Sequence, residues 1–146
     1  MSSNTRLIAA TPERVWAVLA DGWLYPSWVV GATRMRSVDA AWPQPGSKLH
    51  HSAGVWPALI NDDTESLDCV PLRTLRMRAR GWPLGEAEVS IDLERKDEGT
   101  LVELREQAVA GPGRLVPRPA QDVVLSVRNT ESLRRLAYLA EGGARG

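Results

Sequence analysis

Two hairpins can be put in register from the residues alone, and they constrain the fold more than anything else in the chain. Centring a turn on Pro83, between Gly81 and Gly85, pairs Arg80 with Glu86, Arg78 with Glu88 and Arg76 with Ser90. The alternate positions Ala79, Met77 and Leu75 then meet Ala87, Val89 and Ile91. Successive strand side chains point to opposite faces, so one face is ionic and the other apolar. Closing the next hairpin between Lys96 and Gly99 sets Leu93 against Val102, Ile91 against Leu104 and Val89 against Glu106. The apolar face continues across three strands, and a carboxylate, Glu106, lands on it.

The flanks of this sheet carry helix signals. Residues 5–9 read as a short strand. Thr11-Pro12-Glu13 follows as a helix start, with a hydroxyl cap, a proline in the first turn and an acid beside it. Val15, Trp16, Val18 and Leu19 supply its buried stripe, and Asp21-Gly22 ends it. Pro26 limits Tyr25-Pro26-Ser27-Trp28 to a very short second helix. Residues 32–110 read as a series of strands. Trp-Pro pairs at Trp42, Trp56 and Trp82 are expected at strand ends, because the residue before a proline is held extended. Glycines and prolines make residues 111–119 a loop. Residues 120–141 then form a long helix whose one face carries Leu125, Leu133, Leu136, Leu139 and Ala140, with Asn129 near its centre and Arg134, Glu131 and Glu141 turned away.

Composition excludes several classes of function. Lys+Arg and Asp+Glu are each 18, so no net basic charge favours nucleic acid, and the arginine ladder is opposed by its own acids. No apolar run is long enough for a membrane span or a signal peptide, and a cytoplasmic location is expected. One cysteine and two histidines are too few ligands for an ordinary structural zinc site, and the adjacent His50 and His51 point to opposite faces of a strand. No glycine-rich nucleotide motif occurs, so neither a metal nor a cofactor is expected. With 146 residues the chain can bury about 70% of its extended surface and needs no disulfide to hold a core.

The order of strand, two short helices, six strands and long C-terminal helix resembles the START-like (SRPBCC) superfamily, and within it the bacterial polyketide cyclase/dehydrase type. The carriers are Thr11-Pro12-Glu13-Arg14-Val15-Trp16, Tyr25-Pro26-Ser27-Trp28, Gly99-Thr100-Leu101-Val102-Glu103-Leu104-Arg105-Glu106 and Arg128-Asn129-Thr130-Glu131-Ser132-Leu133-Arg134-Arg135-Leu136. The resemblance implies one α+β helix-grip domain over residues 1–146. In that fold a curved seven-stranded antiparallel sheet wraps around the C-terminal helix and leaves a cavity between them. The superfamily hosts binders and enzymes alike, so fold does not decide function.

Placing the hairpin register in that fold gives Met77, Val89, Ile91 and Leu104 as the sheet wall, Leu125, Asn129, Leu133 and Leu136 as the helix wall, and Tyr25 with Trp28 on the entrance side. A mostly apolar lining with a few polar points suits a small hydrophobic ligand. Glu106 must either find a partner or be held protonated by desolvation, which would suit a general acid or base. Against that stands plain pairing with an arginine or contact with solvent. Asn129 is placed to bond a ligand carbonyl or to satisfy Glu106 or a backbone group. His51 is a second acid/base candidate if its face points inward; Asp62 and Asp63 face opposite ways and make no paired-carboxylate site. Three readings follow: a carrier of a lipid, polyketide or aromatic metabolite; a cyclase or dehydratase using Glu106 or His51; and an interaction module without a ligand. A monomer or homodimer is compatible with each.

Overall fold

The computed structural model describes residues 2–30, 32–53, 60–81, 85–111 and 115–142. In chain order the elements are β1 (Ser2–Ile8), α1 (Pro12–Ala20), a single 3-10 turn (Gly22–Leu24), α2 (Tyr25–Trp28), β2 (Ala32–Val38), β3 (Lys48–Ala53), β4 (Ile60–Val70), β5 (Thr74–Gly81), β6 (Gly85–Lys96), β7 (Gly99–Ala110) and α3 (Arg118–Ala140). The strands form one seven-stranded antiparallel sheet in the order β1-β7-β6-β5-β4-β3-β2. The helix-grip architecture is thus present, with α1 and α2 carrying the chain from one edge of the sheet to the other.

Both hairpins have the register expected from the residues. Met77 lies opposite Val89, Arg78 opposite Glu88 and Arg80 opposite Glu86. Ile91 lies opposite Leu104 and Val89 opposite Glu106. The outer face holds the ions, with Arg80 Nε donating to Glu86 at 2.7 Å and Arg105 donating to Asp92 at 2.8 Å. Irregularities interrupt pairing between Met35 and Ser37, between Ser66 and Asp68, and between Glu86 and Ala87. Such bulges bend and twist a strand, which lets the sheet curve around a helix.

Helix α1 begins as its residues dictate: the Thr11 hydroxyl accepts from Arg14 N–H, Pro12 occupies the first turn, and Val15, Val18 and Leu19 are buried. Helix α3 starts at Arg118 rather than at residue 120, because Pro119 falls in its first turn, where the missing N–H is harmless. Leu125, Asn129, Leu133, Leu136 and Ala140 are buried, and Arg134 is exposed. Leu139 is only half-buried and packs against the rim of the core. Three polar ties hold the helix on the sheet and its neighbours. Asn4 Nδ2 donates to Ser126 and Thr130, Val30 N–H donates to the Ser132 hydroxyl, and Ala9 N–H donates to Glu141.

Three local expectations need correction. Strand β1 begins at Ser2, not at residue 5, because the edge pairs with β7 along its whole length, from Ser2 opposite Glu106 to Ile8 opposite Thr100. Trp42 is no strand end: it sits in the turn region after β2, buried, and its indole N–H caps the carbonyl of Leu19 at 3.2 Å. Trp56 and Trp82 lie outside the described residues. Tyr25 and Trp28 do not stand at an open entrance; both are buried in α2, their rings edge to face at 5.7 Å.

Candidate functional site

The inner face of the sheet is apolar towards β6 and polar towards β3 and β4. Val89, Ile91, Leu104 and Met77 are buried there in one cluster with Leu133 and Leu136 of α3, while Leu125 of the same helix is buried outside that cluster. On β3, Leu49 and His51 point inward, His51 with 2% of its surface exposed, while His50 turns outward and its ring bonds Asp39 at 3.0 Å. On β4 Asp62, opposite His51, shares the inner face with Thr64 and Ser66, the last two both 0% exposed.

Thr64 joins residues from three elements. Its hydroxyl lies 2.9 Å from His51 Nε2 and 3.1 Å from the Tyr25 hydroxyl. The Tyr25 and His51 rings stack at 5.5 Å and 26°, so α2 holds the phenol flat against the imidazole. Burial raises the Tyr25 phenol above its ordinary value, and the hydrogen bond shared with Thr64 only partly opposes it. Burial also lowers the His51 imidazole below 6.5, helped by Arg36 and opposed by Asp62 and Asp63. At neutral pH the group is therefore a neutral imidazole with a buried phenol beside it.

Glu106 is 1% exposed on the inner face of β7. Both of its carboxylate oxygens accept from Arg128 Nη2 at 2.9 Å, the arginine reaching in from α3 with 28% of its side chain exposed. Arg128 and Glu106 both act electrostatically on the Tyr25 phenol, so the ion pair and the Thr64 network belong to one interior. Asn129, next along α3, is 2% exposed, and its side-chain nitrogen has no hydrogen-bond partner among the described residues. The same is true of His51 Nδ1 and Arg128 Nε. A cross-strand row of small residues runs beside this polar group: Thr64 lies opposite Ala79, Ala79 opposite Ala87, and Ala87 opposite Ala108.

The structure thus brings together Glu106, His51 and Tyr25 from the candidates, buries Asn129 on α3, and adds Thr64 and Arg128, which periodicity does not reveal. Thr64 is hidden in the sequence because β4 has no hydrophobic alternation; its inner residues are hydroxylic. Arg128 is hidden at the margin of the helix stripe, about 100° around from Asn129. A signal for it exists, since a carboxylate forced onto an apolar face needs a cation within reach. Asp62 and Asp63 part company: Asp62 lies directly opposite the inward-facing His51 and acts on its imidazole, whereas Asp63 pairs with Arg80 on the outer face at 3.2 Å. Among the described residues, no three His, Cys, Asp or Glu side chains cluster as a metal site would require. A separate open groove of about 410 Å³, lined by Ser2, Ser3, Asp122, Val123, Ser126 and Val127, shares none of these residues.

Residues 2–141 match the family described as polyketide cyclase / dehydrase and lipid transport. The chain belongs to this family. Solved structures share its fold. Protein NE0264 from Nitrosomonas europaea superposes with a TM-score of 0.74 at 15% identity, covering 99% of this chain and 96% of that one. The di-domain ARO/CYC StfQ from the steffimycin biosynthetic pathway gives 0.72 at 15% identity over 99% of this chain and 51% of StfQ, so this chain spans about half of it. DynU16, a putative protein in the dynemicin biosynthetic locus, gives 0.65 at 19% identity over 97% of this chain and 47% of DynU16. At these identities the likeness is one of fold. No match was found among curated proteins. Among the described residues, no helix is long and apolar enough to cross a membrane.

Proposed function

We propose that the chain binds a small, mostly apolar molecule carrying oxygen atoms, between the sheet and α3. The observation that carries this reading is that, of the five buried side-chain nitrogens without a partner among the described residues, three, Asn129 Nδ2, Arg128 Nε and His51 Nδ1, belong to α3 and the inner face of the sheet. Buried polar atoms in a folded protein nearly always have a partner. The amide and guanidinium nitrogens are donors and want acceptors, which ketone or ester oxygens supply. The alanine row opposite Thr64 carries only methyl side chains, and the Leu, Val, Ile and Met side chains of the inner face suit hydrocarbon. Lipids, polyketides and aromatic metabolites with carbonyl groups have that chemistry.

A cyclase or dehydratase is the second reading, favoured by the neutral imidazole of His51 in hydrogen-bond contact, through Thr64, with a phenol. That pair is suited to moving one proton on and off a bound carbonyl compound. Glu106 fits this role less well than the sequence suggests, because Arg128 occupies both of its oxygens. In this reading His51 and Tyr25 carry the chemistry, and Glu106 holds Arg128 in place.

Native mass spectrometry of the protein purified from its own host tests the binding reading. A retained apolar ligand, or displacement of a bound naphthalene-type fluorophore by long-chain ketones, is the expected result. A clean ligand-free mass together with no fluorophore binding would overturn it and leave an interaction module. Turnover of a synthetic poly-β-ketone that is lost in His51→Gln and Tyr25→Phe would select the enzyme over the carrier.

A further inference from the structure

Thr64 carries a single hydroxyl proton and stands between two partners, so it can donate to only one of them. Three arrangements are open. If both Tyr25 and His51 Nε2 donate to Thr64, the threonine proton is stranded and Nδ1 is a bare acceptor. If His51 Nε2 donates to Thr64 and Thr64 donates to Tyr25, the phenol proton is stranded and Nδ1 is again bare. If Tyr25 donates to Thr64 and Thr64 donates to Nε2, both hydroxyl protons are used and only an Nδ1 proton lacks a partner. The last arrangement strands the fewest polar groups, and stranded buried groups are what a folded protein avoids.

We infer that Thr64 is a positioning residue that orders a one-way hydrogen-bond chain, Tyr25 to Thr64 to His51, fixing the His51 ring as the Nδ1-protonated tautomer and leaving the Tyr25 oxygen as an acceptor. The consequence for recognition rests on the binding reading above. A ligand hydroxyl or enol is received at Tyr25, while ketone oxygens are received by Asn129 and Arg128. The preferred class is therefore an apolar hydroxy-ketone or enol, which should bind more tightly than a simple ketone or a plain hydrocarbon of the same size. The ring stacking of Tyr25 on His51 keeps the phenol in the geometry the chain needs.

The tautomer is read directly by nitrogen NMR of protein labelled with 15N-histidine, with His51 assigned by its loss in His51→Gln. The wild type is expected to show a protonated Nδ1 and an unprotonated Nε2. Thr64→Val, of nearly equal volume, removes the donor and should give an averaged or Nε2-protonated ring; Thr64→Ser should restore the wild-type pattern. A purely structural threonine would leave the tautomer unchanged in Thr64→Val, and that result, or an Nε2-protonated wild type, would overturn the inference. Should Thr64→Val fail to fold, the wild-type and Thr64→Ser spectra still decide the tautomer. In a second arm, 2-naphthol should bind about tenfold more tightly than 2-methylnaphthalene, as one hydrogen bond allows. That preference should vanish in Tyr25→Phe. Equal affinity of the two probes in the wild type would overturn the acceptor role of Tyr25. Failure of both probes to bind would count against the binding reading, while the spectra judge the hydrogen-bond chain independently.

Discussion

Glu106 and Arg128 form an ion pair in which one guanidinium nitrogen serves both carboxylate oxygens at 2.9 Å, with the acid fully inside the grip and the base partly at its surface. The pair joins β7 to α3 across the interior, so removing one member should matter far more than removing both. Arg128→Leu should destabilise the protein by about 2–4 kcal/mol, because it leaves a buried carboxylate unpaired. Adding Glu106→Leu to Arg128→Leu should recover most of that loss. Urea unfolding of the single and double variants measures both. A double variant as unstable as Arg128→Leu alone would show that packing, and not charge, sets the penalty.

His51 makes stability depend on pH in a defined window. Burial holds its folded value below 6.5, so the unfolded chain binds the proton more readily than the folded one. Stability is then complete above that value, begins to fall as pH drops through it, and continues to fall towards the depressed folded value. Glu131 acts lower: its bonds to Arg134 and Arg135 hold it at about 2, so its contribution is lost only as pH falls from 4.5 towards that value. Thermal midpoints between about pH 7.5 and about pH 5.5 should fall in the wild type and fall less in His51→Gln. Equal slopes would mean that the imidazole is solvated.

Gly99 should tolerate no side chain. Its φ is +147°, and a Cβ there would come within 2.0 Å of the Ile8 carbonyl oxygen, where the first strand ends against the β6–β7 turn. Gly99→Ala should therefore cost several kcal/mol, since backbone on both sides must shift. Gly46 makes the control: its φ is also positive, at +88°, but no atom of the described residues lies within 4 Å of its Cβ position. Gly46→Ala should show only the smaller penalty of the left-handed backbone, about 1 kcal/mol. Similar losses in the two variants by calorimetry would refute the contact with Ile8.

The residues determined by themselves whatever depends on short-range periodicity. Hairpin register follows from turn position and the two-residue repeat, and these alone set Val89 opposite Glu106 and turn Glu106 to the inner face. The buried stripe of α3 follows from the helical repeat, with Leu125, Asn129, Leu133 and Leu136 inward. The tertiary structure decided which side chains meet across layers. Arg128 reaches Glu106 only because α3 settles at one axial height over β7, and no repeat encodes that height. Thr64 joins Tyr25 to His51 because α2, β3 and β4 converge there, and β4 carries polar residues on both faces, so alternation gives no signal. Trp42 caps Leu19 for the same reason: its partner lies on another element. Periodicity is a property of one segment and its neighbour in a hairpin, whereas a site assembled from separate elements depends on how their packed surfaces fit together.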